Sequence, residues 1–144
     1  MASQFAPLLA SAIDGRAHNI YYRQLQLGKL HQALLDNSTL LQAAIASDTN
    51  HSQSEIAIEI HLTLAELKKD YATLQPTKAH EDEYLLARGE DAPLNRQPIG
   101  IVYIEPCSHT LLYSMIAPVC AALAAGNCVI VLVSTSPTVK GKCL

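Results

Sequence analysis

Apolar residues recur at three- and four-residue steps through the first half of the chain, from about residue 10 to residue 75. The first such run contains Tyr21, Leu25, Leu27, Leu30 and Leu34. This spacing puts most of these side chains on one face and predicts an amphipathic helix. The polar residues around Asn37 and Ser38 break the pattern, and either of them can cap a second, shorter helix through Ile45.

A third helix begins with a stronger signal, because Ser52 and Glu55 have the spacing of a capping box. Apolar residues follow at helical steps: Ile56, Ile60, Leu64, Leu67, Tyr71 and Leu74. Ile58 and Leu62 widen this apolar face, which predicts burial on more than one side of the helix.

The charged residues of the third helix are expected to form a solvated surface. They are Glu59, Glu66, Lys68, Lys69 and Asp70. The following segment, residues 76–97, contains prolines and many charges and is interpreted as a linker or arm. Within it, residues 83–88 are expected to form a short strand or part of the arm, and the pattern leaves both open.

The pattern changes at residue 98. Ile99 to Ile104 is an apolar run between two prolines, which predicts a strand buried on both faces. Thr110 to Ala125 has helical spacing, and Pro118 within it is expected to kink the helix or end its first part. Gly126 and Asn127 are typical of a helix C-terminus, and the β-branched run Cys128 to Val133 predicts a second strand.

Strand, helix and strand in this order form a βαβ unit with parallel strands. The predicted fold class is therefore α/β, with N-terminal helices followed by one βαβ unit. Three parts are expected: a helical region at 1–75, a linker or arm at 76–97, and a partial βαβ domain at 98–144. Two parallel strands with both edges open describe an incomplete domain.

Composition excludes several classes of function. The chain is 49% hydrophobic and 16% charged, with a net charge of −3, so nothing favours nucleic acid or an anionic membrane as a partner. The chain contains no run of about 20 apolar residues, so no membrane span is predicted. The first residues lack the basic stretch of a secretory signal. These features favour a cytoplasmic protein.

Cysteine and histidine spacing predicts no metal site. The four cysteines, Cys107, Cys120, Cys128 and Cys143, include no C-x-x-C pair, and the histidines are scattered. Cys120 and Cys128 lie in apolar runs, where a thiol usually acts as a small buried hydrophobe. A reducing compartment is expected.

Two segments carry a resemblance to a known family. Residues 98–102 (PIGIV) and residues 122–131 (ALAAGNCVIV) resemble the aldehyde dehydrogenase superfamily, and Pro118 also has a counterpart there. The earlier helices look most like the class 3, fatty-aldehyde type, so the resemblance covers roughly residues 15–138. It implies an incomplete Rossmann-like cofactor domain and the oxidation of an aldehyde to an acid with NAD or NADP.

The resemblance also implies losses at functional positions. His109 occupies the position of the family's oxyanion-stabilising Asn, and Leu132 that of a Lys that binds the cofactor's ribose. Ser134 is kept, and Thr135 stands at a Glu position near the same ribose. The family's nucleophilic Cys and general-base Glu align beyond Leu144, and Cys107, which lies on the loop after the first strand, does not replace that Cys.

The favoured interpretation is a truncated aldehyde-dehydrogenase-like protein without independent catalytic activity, with no cofactor expected for the isolated chain. One alternative is nicotinamide-dependent aldehyde oxidation by a longer product or assembly. The other is a non-enzymatic module that binds a full-length homologue or associates with itself, since open sheet edges are templates for pairing. The sequence does not indicate the substrate.

Overall fold

The computed structural model describes residues 6–91 and 97–133. In those residues six α-helices and two β-strands follow one another in this order: α1 Ala6–Ile13, α2 Ile20–Asp36, α3 Ser38–Asp48, α4 Gln53–Thr73, α5 Pro76–Ala87, β1 Ile101–Ile104, α6 Leu111–Ala124 and β2 Cys128–Val131. A short 3-10 turn, Arg16–His18, links α1 to α2. The architecture is α/β, with helices preceding a βαβ unit, as the sequence predicts.

Helix α4 starts where the capping box predicts. The Ser52 backbone N–H donates to a Glu55 carboxylate oxygen at 2.7 Å, and the Glu55 N–H donates to Ser52 Oγ at 3.3 Å. Two backbone donors that the first helical turn would leave unsatisfied are thereby paired. Helix α2 has its own cap, because the Asn19 side chain accepts from the N–H groups of Tyr21 and Tyr22.

The hydrophobic core lies where α4 and α6 pack against each other and against α2. Its buried members are Leu27, Leu67, Leu74, Leu112, Ile116, Cys120 and Ala124. Burying a side chain the size of Leu stabilises the fold by roughly 1.5–3 kcal/mol, so these residues dominate its cohesion. Helix α6 therefore joins the βαβ unit to the N-terminal helices.

Several burial predictions are wrong. Tyr21 and Leu25 lie on α2 but are exposed, and Ile58 and Leu62 on α4 face solvent instead of forming a second buried face. A broad apolar surface predicts burial only when another element covers it. No described helix covers this side of α4 to the extent that the prediction required.

Two charged residues of α4 that were predicted to be exposed are buried. Glu59 and Asp70, which were expected on a solvated surface, are each only 6% exposed. Both lie on α4, the helix that packs most extensively against α6. A buried carboxylate requires a local partner or field to offset its lost hydration, and for Glu59 that partner is described below.

The segment after α4 forms a helix rather than the strand considered for residues 83–88. Pro76 is its first residue, a position that proline favours because its fixed φ suits the helix and its missing N–H is not needed there.

Asn37 precedes α3 without capping it. Its side-chain amide instead donates to the Ala33 carbonyl at 2.8 Å and closes the end of α2.

The two strands form a parallel pair, in register from Ile101 opposite Cys128 to Ile104 opposite Val131. Helix α6 makes the connection, so the βαβ prediction is confirmed. The prediction that the first strand is buried on both faces is wrong, because Tyr103 of β1 is 56% exposed. Pro118 lies inside α6, which continues through it from Leu111 to Ala124 and does not end there.

Candidate functional site

The carboxyl-terminal ends of both parallel strands lie at the same end of the sheet. This end, as distinct from a lateral edge strand, is here called the carboxyl edge. After β1 the chain enters a loop at residues 105–110, and after β2 it continues through Leu132 and Val133. In open α/β sheets, ligands bind in the crevice outside the carboxyl ends of the strands. This edge is therefore the candidate functional site.

The loop after β1 is anchored to α6 through one hydroxyl group. Ser114 Oγ accepts from the Cys107 backbone N–H at 3.0 Å and lies 3.2 Å from the Cys107 carbonyl oxygen, to which its hydroxyl can donate. Both backbone groups of Cys107 are thereby held against the first turn of α6. The backbone at the carboxyl edge is thus positioned by the helix that follows it.

His109 and Leu132 both lie at the carboxyl edge. His109 is an exposed loop residue, and Leu132 is 48% exposed directly after β2, where its N–H donates to the Ile104 carbonyl at 2.9 Å. An imidazole can donate a hydrogen bond, whereas an isobutyl group can neither donate nor accept one. Ser134 and Thr135 lie outside the described residues.

The first turn of α6 is held by a buried carboxylate that sequence inspection assigned to the surface. The Tyr113 N–H donates to Glu59 Oε1 at 3.2 Å, and Thr63 Oγ1 donates to the Glu59 carbonyl at 2.7 Å. A negative charge near a helix N-terminus is stabilised by the helix dipole and by the exposed N–H groups. No local pattern on α4 marks Glu59 for this role, because its partner lies 54 positions along the chain.

The described cysteines differ in their surroundings. Cys120 is fully buried in α6, and burial, together with the nearby Asp70 and Glu66 carboxylates, raises the pKa of the Cys120 thiol to about 12. This thiol therefore stays protonated near neutral pH. The full burial of Cys120 confirms its assignment to the core. Cys128 lies half-buried in β2, and Cys107 is half-buried in the loop after β1. Cys143 lies outside the described residues.

The opposite side of the sheet, here called the amino edge, begins at the end of α6. The Asn127 N–H donates to the Ala122 carbonyl at 2.9 Å and the Gly126 N–H to the Leu123 carbonyl at 3.0 Å. These two bonds form a Schellman motif, which requires a left-handed residue at Gly126, where φ is 87°. A Cβ added to Gly126 would lie 3.0 Å from the Ala17 carbonyl oxygen. The glycine is needed for both reasons.

Two side chains complete the amino edge. Asn127, 5% exposed, accepts through Oδ1 from the N–H groups of Ile99 at 2.7 Å and Gly100 at 3.0 Å. Arg23 donates through Nη1 to the Ala124 carbonyl at 2.8 Å and through Nη2 to the His18 carbonyl at 3.0 Å. The end of α6 is thereby joined to the start of β1 and to the turn before α2.

Metal-binding clusters and membrane-spanning helices are both absent from the described residues. Across residues 6–91 and 97–133, no three His, Cys, Asp or Glu side chains are grouped so that they could hold a metal ion. Nor does any helix in those ranges combine the length and the apolar character needed to cross a membrane.

Comparison with known proteins gives a consistent result. The model of the aldehyde dehydrogenase family matches residues 11–141. Aldehyde dehydrogenase family 3 member B1 of Bos taurus is 32% identical over 122 residues, covering 82% of this chain and 26% of that protein. Family 3 member B2 of Mus musculus is 32% identical over 120 residues, covering 81% and 25%. Family 3 member A2 of Macaca fascicularis is 30% identical over 127 residues, covering 83% and 25%.

The resemblance to the class 3 type is therefore confirmed. The chain spans about a quarter of the length of the curated relatives it matches. No solved structure gives a significant match.

Proposed function

The chain belongs to the aldehyde dehydrogenase family, and from this premise we propose that its 144 residues form the helical layer and first βαβ unit of the family fold without oxidising aldehydes on their own. In this proposal β1, α6 and β2 are part of a Rossmann-like cofactor domain. The observation that carries it is the exposed Leu132 at the carboxyl edge, at the position that the resemblance assigns to a ribose-binding Lys.

The residues at the carboxyl edge do not fit the cofactor contact that the family implies. A ribose hydroxyl must exchange its hydrogen bonds to water for hydrogen bonds to the protein, or binding weakens by the cost of an unpaired polar group. The Leu132 side chain offers no such bond. His109 keeps a ring N–H, so the oxyanion position is altered in reach and geometry without losing every donor.

The thiols support the same proposal. Attack on an aldehyde carbon requires a thiolate that is close to the bound substrate. Cys120 is buried and protonated, and Cys107, the thiol nearest to the carboxyl edge in sequence, does not align with the family's nucleophile. We therefore expect neither covalent aldehyde chemistry nor hydride transfer from these residues alone.

The direct test uses the purified 144-residue chain with a medium-chain aldehyde and either NAD or NADP. Formation of reduced nicotinamide is followed by its near-ultraviolet absorbance, and cofactor binding by calorimetry. We expect no turnover and no saturable binding of either cofactor. Turnover that follows the protein through successive purification steps would overturn the proposal.

A pair of variants tests whether Leu132 is the reason for the missing contact. Leu132→Lys restores a cation at the ribose position, and Val133→Lys places the same cation on the neighbouring exposed residue. We expect measurable, weak NAD binding for the first variant and none for the second. Equal binding by both variants would show general charge attraction and would contradict the assignment of position 132.

A second candidate function, a module that binds a full-length homologue or a second copy, is favoured by the exposed β1 region. Ile99 is 85% exposed, and Tyr103 also faces solvent on β1. A class 3 homologue should co-elute with the chain, and Tyr103→Lys should abolish the complex while Tyr84→Lys on α5 leaves it intact. A chain that elutes alone beside the homologue excludes this function.

The third candidate is nicotinamide-dependent oxidation of an aldehyde to an acid by a longer product. The family match and the class 3 relatives support it, because a whole relative is about four times as long as the matched region. Full-length transcript sequencing distinguishes it. A continuous reading frame with a catalytic Cys and Glu supports this function, and a stop codon after Leu144 contradicts it.

A further inference from the structure

A groove of about 430 Å³ lies where α2, α5 and the C-terminal ends of α4 and α6 meet. Its apolar wall includes Ile20, Leu74 and Ala124. Its charged lining consists of Arg23, Lys69, Lys78 and Asp82. The volume falls within the range of roughly 300–1,000 Å³ that is usual for small-molecule sites. The groove adjoins the end of α6 and is separate from the carboxyl edge.

Arg23 carries a positive charge that no carboxylate in the described residues offsets. Its two bonded nitrogens donate to the neutral carbonyls of Ala124 and His18, and no Asp or Glu of residues 6–91 or 97–133 lies within 4.0 Å of it. Nε of the guanidinium is buried without a hydrogen-bond partner among the described residues, and each of the two terminal nitrogens keeps a second N–H donor. Desolvation lowers the pKa of Arg23, as expected for a charge held without a counterion.

The other charged residues leave the groove positive. Lys78 makes no ion pair in the part of the chain that the structure describes, although Asp82 lies one helical turn further along α5. Lys69 is bonded to Glu66 at 2.7 Å, which neutralises much of its charge. Among the described residues, the groove therefore has two cations outside any ion pair, the half-buried Arg23 and the exposed Lys78, and a single such carboxylate, that of Asp82.

We propose that this groove binds a small dianion, a phosphate monoester or inorganic phosphate, between Arg23 and Lys78. A guanidinium and an ammonium on separate helices suit a compact, doubly charged group with several acceptor oxygens. The apolar wall formed by Ile20, Leu74 and Ala124 can accommodate an organic substituent on that group. The site is independent of the function proposed above and requires no cofactor or nucleophile.

The test is calorimetric titration of the full chain with inorganic phosphate at low ionic strength. We expect saturable binding with a dissociation constant of about 1 mM, the range that a few partly exposed charge contacts support. Lys78→Ala should weaken binding about threefold, and Asp82→Asn should tighten it about twofold, because each changes one partly screened charge contact. Lys78 is exposed and alanine is a good helix former, while Asp82→Asn keeps the size of the side chain, so folding is preserved.

The matched control is Lys68→Ala, which removes an exposed cation of α4 that does not line the groove. Its affinity for phosphate should equal that of the unmodified chain. The proposal is overturned if the unmodified chain shows no saturable binding, if Lys68→Ala and Lys78→Ala weaken binding equally, or if Asp82→Asn leaves affinity unchanged. A second titration with glycerol 3-phosphate separates the two sources, because tighter binding than phosphate indicates a monoester that uses the apolar wall.

Discussion

The two edges of the small parallel sheet are built in opposite ways. At the amino edge, Gly126, Asn127 and Arg23 hold the end of α6 through backbone and side-chain hydrogen bonds. At the carboxyl edge, His109 and Leu132 are both exposed, and the His109 side chain makes no hydrogen bond among the described residues. The amino edge supports the fold, and the carboxyl edge is where the chemistry of such folds takes place.

The difference between the two edges shows which positions can change without disturbing the fold. Removing a buried, bonded polar group leaves its partners unsatisfied and destabilises the protein by about 1–3 kcal/mol. Replacing an exposed side chain usually changes stability by less than about 0.5 kcal/mol. Changes at positions 109 and 132 are therefore expected to be compatible with folding, whereas changes at Gly126 or Asn127 are not.

The largest effect is expected for Gly126→Ala. The left-handed backbone and the close Ala17 carbonyl together should destabilise the chain by about 3 kcal/mol in urea unfolding. The matched control is Gly28→Ala in α2, where an added Cβ meets nothing within 4 Å. That change should stabilise the chain by about 0.7 kcal/mol, because alanine favours the helix. Equal effects of both substitutions would contradict the structure of the amino edge.

Asn127→Ala should destabilise the chain by about 2 kcal/mol, since the N–H groups of Ile99 and Gly100 lose their shared acceptor. Urea unfolding followed by circular dichroism measures the loss. His109→Ala at the carboxyl edge is the comparison, with an expected change of under about 0.5 kcal/mol. A larger effect at His109 than at Asn127 would reverse the contrast between the two edges.

Glu59→Ala should destabilise the chain by about 1 kcal/mol, because α6 loses a negative charge and an acceptor at its first turn. Glu59→Gln keeps an acceptor oxygen and should recover part of that loss. The free energy of unfolding in urea is the measurement for both variants. If the two variants are equally destabilised, the hydrogen bond to Tyr113 contributes nothing beyond the charge. If neither variant is destabilised, the position of Glu59 at the start of α6 has no effect on the free energy of unfolding.

The smallest effect concerns pH. Backbone and side-chain hydrogen bonds from Ser52 lower the pKa of the Glu55 carboxyl below its ordinary value of 4.5. A carboxyl with a lowered folded-state pKa adds stability above its unfolded pKa and loses it as pH falls through the folded pKa. The thermal midpoint should therefore fall further between about pH 5 and about pH 3 than it does in Glu55→Gln.

Glu81→Gln, a change at an exposed residue of α5, is the control for the pH experiment. Its midpoint should follow that of the unmodified chain over the whole range. A Glu55→Gln midpoint that falls as steeply as the unmodified one would mean that the capping box gives no pH-dependent stability.

Local signals predicted local structure well. The Ser52 and Glu55 spacing located the start of α4, and the Gly126–Asn127 pair located the end of α6. Both depend on residues within a few positions of one another. The βαβ order was also predictable, because the switch from helical to strand spacing occurs within one short segment.

What sequence inspection missed depends on contacts far apart in the chain. Glu59 is buried because α6 brings the Tyr113 N–H to it, and the periodicity of α4 alone does not contain that information. The exposure of Ile58 and Leu62 has the same origin, since it reflects which side α6 covers. The α5 helix does carry a local signal, namely Pro76 as its first residue.

For the candidate site, the family resemblance predicted which residues stand there, namely His109 and Leu132 at the carboxyl edge. The roles of these two residues belong to the proposed function. The groove beside Arg23 had no signal in the sequence, because its lining combines α2, the junction of α4 with α5, and the end of α6, which are far apart along the chain.

The hydrogen bond from Arg23 to the Ala124 carbonyl joins residues 101 positions apart. During synthesis, α2 is complete long before α6 leaves the ribosome. The Arg23 guanidinium therefore lacks its Ala124 acceptor while about a hundred residues are added, which takes seconds at cellular translation rates. The N-terminal helices therefore reach their final packing only when the last described helix arrives, and the nascent chain should remain sensitive to protease until then.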